Sequence, residues 1–264
     1  MAPGIKQIED AKRRMEKAGL SRVAAEILKL LRPSIRLLVG DESRDPVTRL
    51  GGAPNLPPEN PWPRRASGDP LSFLAQIDLA ALGACNGLAL PGSGSLFFFC
   101  DAEYLPESRD PRDVADGIRV VCTESSLTEH ALRKQPSGLR SDYVFKGVSL
   151  KPERDFTAPP PDEWEIERLR LTEEEELAYG ELFAQVCIRE EPIHRMGGYP
   201  NLVQYGVLKS AGDVDADNRR LLLQLDSDSD AGMMWGDLGK LYFVVREPDL
   251  QSLRFDKVSF EWGC

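Results

Sequence analysis

Short apolar runs recur along the chain, each closed by a polar or turn-forming residue. Residues 34–39, 71–79, 96–100, 118–123, 148–156, 221–225, 241–245 and 257–262 read as strands, being rich in branched and aromatic side chains and bounded by Gly, Pro, Asp or Ser. In 71–79, 96–100, 221–225 and 241–245 the apolar residues are successive rather than alternate. That pattern predicts strands buried on both faces, covered by helices or a second layer. Helical spacing appears first in Ile5, Ile8, Ala11 and Met15, ended by Gly19, and then in Val23, Ala24, Ile27, Leu28 and Leu31, with Ser21 as N-cap and Pro33 as stop. A third helix starts after Thr172, a good N-cap, with Glu173, Glu174 and Glu175 where the helix dipole favours negative charge and Leu177, Leu182, Phe183 and Val186 on its apolar side. Pro248 marks a short helical turn before the last strand.

Two passages resist regular structure. The prolines and glycines between Gly40 and Pro70 exclude helix and interior strand. Trp62, between two prolines, is there either as a packing anchor or as the wall of a ligand pocket. Ala158-Pro159-Pro160-Pro161 is a stiff break and divides the chain.

Across that break the chain echoes itself. Gly51, Gly52, Pro54, Asn55 and Leu56 recur 146 residues later, Gln76-Ile77-Asp78 recurs 148 later as Gln224-Leu225-Asp226, and Gly94-Ser95-Leu96-Phe97-Phe98 recurs 145 later as Gly239-Lys240-Leu241-Tyr242-Phe243. Matches in the same order at nearly constant offset predict two copies of one unit. The expectation is an α+β fold, internally duplicated, with two β-rich halves (34–157 and 158–264) related by pseudo-twofold symmetry, helices outside, and an N-terminal helical hairpin (1–33) packed on the body.

Composition narrows the function classes. A chain of 264 residues, 41% hydrophobic and 29% charged, is ordinary for globular proteins, and a net charge of -10 without a Lys/Arg stripe argues against nucleic acid. Cys85, Cys100, Cys122, Cys187 and Cys264 are odd in number, widely spaced and free of C-x-x-C pairs, which fits reduced cytoplasmic thiols. The charged N-terminus is unlike a signal peptide, and no apolar run is long enough to span a membrane.

Four groups of residues invite chemistry. Asp226, Asp228, Asp230 and Asp237 begin like a calcium loop, but Ala231 replaces its glycine, Asp237 its longer Glu, and strands flank it. A polar turn is the simpler reading, and no metal or other cofactor is expected. Gln76 with Asp78 and Gln224 with Asp226 either face one another as an acid and base pair or fasten backbone where strands leave the sheet. His194 beside Arg195 is a general base, an anion pair or a loop anchor, whereas His130 sits in a polar, exposed segment. Cys100 and Cys187, the thiols that would serve a nucleophile with His194, lie in apolar stretches where thiols are inert. Nucleophile-elbow, P-loop, dinucleotide and zinc-protease motifs are absent.

Taken together, GGAPNLP, PLSFLAQIDLAAL, GSLFFFCD, HRMGGYPNLVQ and MMWGDLGKLYFVVREPDL resemble the YwqG family of bacterial proteins, over residues 34–264. The resemblance implies an α+β fold, a cytoplasmic bacterial protein and proximity to toxin and immunity systems, with no catalytic residue to carry over. The leading expectation is a binding or interaction protein, of immunity type, with another protein as partner. Its rival is an enzyme or small-molecule binder with a cleft between the halves lined by Trp62, Gln76, Asp78, His194, Arg195, Gln224, Asp226, Trp235 and Asp237. Calcium binding at Asp226 to Asp237 ranks third.

Overall fold

A computed structural model describes residues 5–40, 48–83, 87–107, 110–187, 192–202 and 218–264. The first half supplies β1 (Arg32–Val39), β2 (Arg49–Leu50), β3 (Ser72–Asp78), β4 (Ser95–Cys100), β5 (Ile118–Thr123) and β6 (Val148–Thr157). The second supplies β7 (His194–Gly197), β8 (Arg219–Asp226), β9 (Lys240–Arg246) and β10 (Ser259–Gly263). These strands join in a single sheet of order β10-β9-β8-β7-β1-β6-β2-β3-β4-β5, antiparallel throughout. The sheet curls into a nearly closed barrel. Helix α4 (Pro111–Gly117), which leads into β5, touches β10, and the turn Phe255–Lys257 before β10 touches β5.

Curling gives the successive apolar runs their cover. Ile35, Ile77, Leu96, Phe98, Met196, Leu225, Leu241 and Phe243 share one core that spans both halves. Phe98 meets Phe243 edge to face at 5.2 Å, and Phe243 meets Phe260 in the same way at 5.2 Å. On the opposite face Leu56, Trp62 and Leu127 cover Phe73, Phe97 and Phe99, while Leu202 packs on Leu221, Tyr242 and Val244. Helices α1 (Ile5–Lys17), α2 (Ala24–Leu30), α5 (Trp164–Glu167) and α6 (Glu173–Cys187) make a separate cluster with Met15, Leu20, Ile27 and Tyr179 inside.

Several expectations change. The halves join in one continuous sheet, with β1 hydrogen-bonded to β6 on one side and β7 on the other. Pro33 does not stop α2; the helix ends at Leu30 and Pro33 lies inside β1 opposite Phe156. Val23, not Ser21, precedes α2, and no side chain caps it. Thr172 does cap α6, its Oγ1 accepting from the Glu175 amide at 3.2 Å while Glu175 Oε2 accepts from the Thr172 amide at 2.9 Å. Leu177 is 67% exposed, and Tyr179 turns inward instead, donating to the Pro159 carbonyl at 2.7 Å. The side chain of Val186 lies outside the described residues, as do Cys85 and the side chain of Cys187.

Truncating Phe98 or Phe243 to Ala removes packing from both halves at once and is expected to cost about 3–5 kcal/mol. Because the rings touch, the double variant should lose less than the two single losses added together in denaturant titration. Strict additivity would mean that the halves hold separate cores.

Candidate functional site

Both glycine loops are fastened in the same manner. Gly51, Gly52, Gly197 and Gly198 all have positive φ, and a Cβ on Gly51 would stand 2.3 Å from the Lys146 carbonyl oxygen. The chain then folds back so that the Asn55 amide donates to Gln76 Oε1 at 2.9 Å and the Asn201 amide to Gln224 Oε1 at 2.8 Å. Each glutamine follows an irregularity in its strand, between Phe73 and Ala75 in β3 and between Leu221 and Leu223 in β8. Gln76 Nε2 donates back to Asn55 Oδ1 at 2.9 Å, and Gln224 Nε2 to the Ile193 carbonyl at 2.9 Å. Both glutamines are therefore loop fasteners, fully buried.

Their companion aspartates take separate tasks. Asp78 accepts from the Ala80 amide at 3.0 Å and caps α3 (Leu79–Leu82). Asp226 accepts from the Ile193 amide at 2.9 Å and stands 3.2 Å from Lys240 Nζ, both side chains being buried. No acid and base pair results.

The second half brings a polar cluster together around His194. Its Nδ1 accepts from the Asp226 amide at 3.2 Å, which leaves the proton on Nε2, 3.0 Å from Asp228 Oδ2. The other oxygen of Asp228 accepts from the amides of Asp230 at 2.7 Å and Ala231 at 3.0 Å. Burial pushes the Asp228 carboxyl up, but the His194 and backbone donors outweigh it and hold it below its ordinary 3.8. Trp235 closes the turn, its Nε1 donating to the Asp226 carbonyl at 3.2 Å and its ring lying edge-on to Phe145 at 5.4 Å. The cluster resembles a catalytic dyad in composition only. His194 has no exposed surface, so the arrangement clamps a turn onto β7.

The remaining candidates disperse. Trp62 is buried against Phe99 with its Nε1 donating to the Leu71 carbonyl at 2.9 Å, a packing anchor rather than a pocket wall. Arg195 is buried in register with Arg36 and Gln224, and Asp237 is exposed. The four aspartates do not converge, and among the described residues no group of three or more His, Cys, Asp or Glu side chains is arranged to hold a metal. Cys100 is fully buried, which pushes its thiol well up. His130 is half-buried rather than exposed.

A concave site lies elsewhere, on the first half, in a cavity of about 680 Å³. Its frame is Arg65, which the Arg65–Gly68 turn aims at three carboxylates: Asp101 at 2.5 Å, Asp113 at 2.8 Å and Asp116 at 3.0 Å. Asp101 directly follows β4, and Asp113 and Asp116 lie three residues apart on one face of α4, whose N-cap is Asp110. The hydrogen bonds that Arg65 donates to Asp101, Asp113 and Asp116 raise its guanidinium further above its ordinary value, burial opposing them. Opposite, Arg140 holds Glu103 at 2.5 Å and lies over the Tyr143 ring at 5.6 Å. Asp69, Asp101, Glu103, Glu107 and Asp113 face only Arg65 and Arg140 in the lining, so the cavity is net acidic. Tyr104 stands at it with 69% of its surface exposed, while the Asp101 side chain accepts from the Tyr104 amide at 2.9 Å and fixes its loop.

A family model described as a domain of unknown function, DUF1963, matches residues 48–264. The chain belongs to the DUF1963 family. No curated protein matches it. The DUF1963 match includes both glycine loops, the His194 cluster and the acidic cavity, but begins after β1, the strand that joins the halves. No described helix is long and apolar enough to cross a membrane.

Lys240→Met strands the buried Asp226 carboxylate and is expected to cost about 3–5 kcal/mol, most of it recovered when Asp226→Leu is added. If the single variant melts like the wild type, the pair is not buried as described. Stability should also respond to pH with two opposite slopes. Asp228 titrates lower folded than unfolded, so its contribution is present above its ordinary 3.8 and lost as pH falls, a loss that Asp228→Asn removes. Glu261 is pushed up by burial to about 7 from 4.5, so it costs stability as pH rises between those values, and Glu261→Gln should gain on the wild type above pH 7. Denaturant midpoints from pH 3 to 8 check both signs.

Proposed function

We propose that this chain is a binding protein that takes a positively charged side chain of a protein partner into the acidic cavity of its first half. The observation that carries the reading is the cavity itself: concave, excess carboxylate in its lining, and an exposed tyrosine beside it. A guanidinium or ammonium group is drawn by the carboxylates and stabilised over the Tyr104 face, since cations favour aromatic rings. Arg65 is occupied by three aspartates and does not compete. The polar residues that would suit an enzyme are engaged in holding turns, which supports binding over catalysis. The cavity also has a volume ordinary for small-molecule sites, so a small amine is the second reading.

The same proposal includes the finer identity. We infer a cytoplasmic bacterial protein of the YwqG type, built by duplication, that acts as an immunity-type partner of a toxin. Support for duplication comes from matched glycine loops, matched glutamine contacts and strand irregularities 148 residues apart.

An oligo-arginine peptide and arginine amide serve as probes in calorimetric titration. Binding by both that weakens with salt, and about tenfold or more with Glu103→Gln or Tyr104→Ala, is the expected outcome. Tyr104 is exposed, so its loss should leave stability within about 0.5 kcal/mol. Absence of binding, or binding unaffected by either substitution, overturns the assignment. Binding of the small amide with the peptide's affinity would favour the small-molecule reading.

A further inference from the structure

Arg65 and Arg140 both stand in the lining of the acidic cavity, and they are held very differently. Arg65 is a fixed part of the wall, its guanidinium divided among Asp101, Asp113 and Asp116 and its side chain 21% exposed. The Arg140 side chain is 58% exposed. It precedes the single turn Ser141–Tyr143, with Nη1 donating to Glu103 Oε1 at 2.5 Å and Nη2 donating to Asp142 Oδ2 at 3.2 Å. The carbon that joins those nitrogens lies 5.6 Å from the centre of the Tyr143 ring. Glu103 and Tyr143 belong to the cavity lining, whereas Asp142 stands outside it.

A cation held between a carboxylate and an aromatic ring is what the cavity is proposed to offer a partner, and here an arginine of the same chain makes that contact. Its planar group lays a face towards the ring while the N–H fork at its edge meets the carboxylate. An ammonium gathers its charge and donors at one nitrogen and matches the pair less well. An exposed ion pair contributes little in water, so Arg140 is exchanged for a second guanidinium at small cost. Arg65, tied to three carboxylates, is not.

Resting on the reading of the cavity as a recognition site, we propose that Glu103 and Tyr143 form a guanidinium seat that Arg140 fills in the free protein. A partner's arginine side chain binds by taking the place of Arg140. The ligand is thereby narrowed from cations in general to arginine. Arg140 is a competitor carried on the same chain: it pairs Glu103 while no partner is present, and it lowers the affinity for any cation that cannot replace it.

The test is a calorimetric titration of the full chain with arginine amide and lysine amide at matched ionic strength, in the wild type, Arg140→Gln, Glu103→Gln and the double variant. Arginine amide should bind the wild type more tightly than lysine amide does. Arg140→Gln should tighten arginine binding by about twofold to fivefold, the worth of an exposed ion pair. That gain should vanish in the Glu103→Gln background, where no carboxylate is left to compete for. A gain of equal size in both backgrounds means that Arg140 merely repels cations, and overturns the exchange. Unchanged or weaker arginine binding in Arg140→Gln overturns it too, as does lysine amide binding as tightly as arginine amide. A second readout needs no substitution: the Arg140 Nε–H resonance of the wild type should move as arginine amide is added, and a stationary resonance at saturation overturns the exchange equally. If arginine amide binds the wild type and is weakened by Tyr104→Ala while Arg140→Gln changes nothing, the exchange alone fails. If neither amide binds the wild type or Arg140→Gln, recognition at the cavity fails and the exchange with it.

Discussion

The fold depends on withdrawing both faces of β3, β4, β8 and β9 from water. In β4 every residue is buried, as are all but the last of β3 and all but the first two of β8. Backbone groups are satisfied within the sheet, but side chains on two faces need two covers. Curling the sheet supplies one, by bringing Phe98 of the first half against Phe243 of the second. Loops must supply the other. That is why a passage as rich in proline as 51–70 is ordered: Trp62 lies on Phe99, and the glycine pair lets the chain turn back over the sheet. Polar residues caught in this layer cannot reach water, so Gln76 and Gln224 accept from the loops that cover them, His194 bonds Asp228 of the following turn, and Asp226 accepts from the Ile193 amide.

The same constraint explains what the residues disclose in advance. Strands with successive apolar positions are plain because burial on both faces leaves no room for alternation, and β5 falls on 118–123 as its pattern implies. The helix α4 escapes because seven residues do not establish a period. Its signal is a cap rather than a stripe: Asp110 before Pro111, then Asp113 and Asp116 on one face. The candidate cleft fails for another reason. A buried histidine that clamps a turn and one that waits for a substrate have the same letters around them, and only exposure separates them. The acidic cavity draws on residues 65–72, 101–107, 113 and 138–143, which no local window joins.

Residues 145 and 146 show how the halves communicate. The Phe145 carbonyl accepts from the Gly52 amide at 2.9 Å, while the Lys146 amide donates to the Ala231 carbonyl at 2.9 Å and the Phe145 ring meets Trp235. The first glycine loop and the turn that His194 clamps are thus tied through two consecutive residues, Phe145 and Lys146. Residues that look catalytic in the second half therefore hold the position of a loop in the first.

On the duplication proposed above, charge is where the halves have parted. Asp101, just after β4, corresponds to Arg246, the last residue of β9, 145 residues later. In the first half one arginine is caged by Asp101, Asp113 and Asp116; in the second one buried aspartate, Asp249, is caged by Arg246 and Arg254. Each cage ties a short helix to its strand, so the structural task is kept while the sign is exchanged. Excess carboxylate remains only around the first. A site on the axis between equivalent halves would need matching chemistry from both, and these strand ends no longer match. Recognition is then expected from one half, with the other kept for the core that both must share.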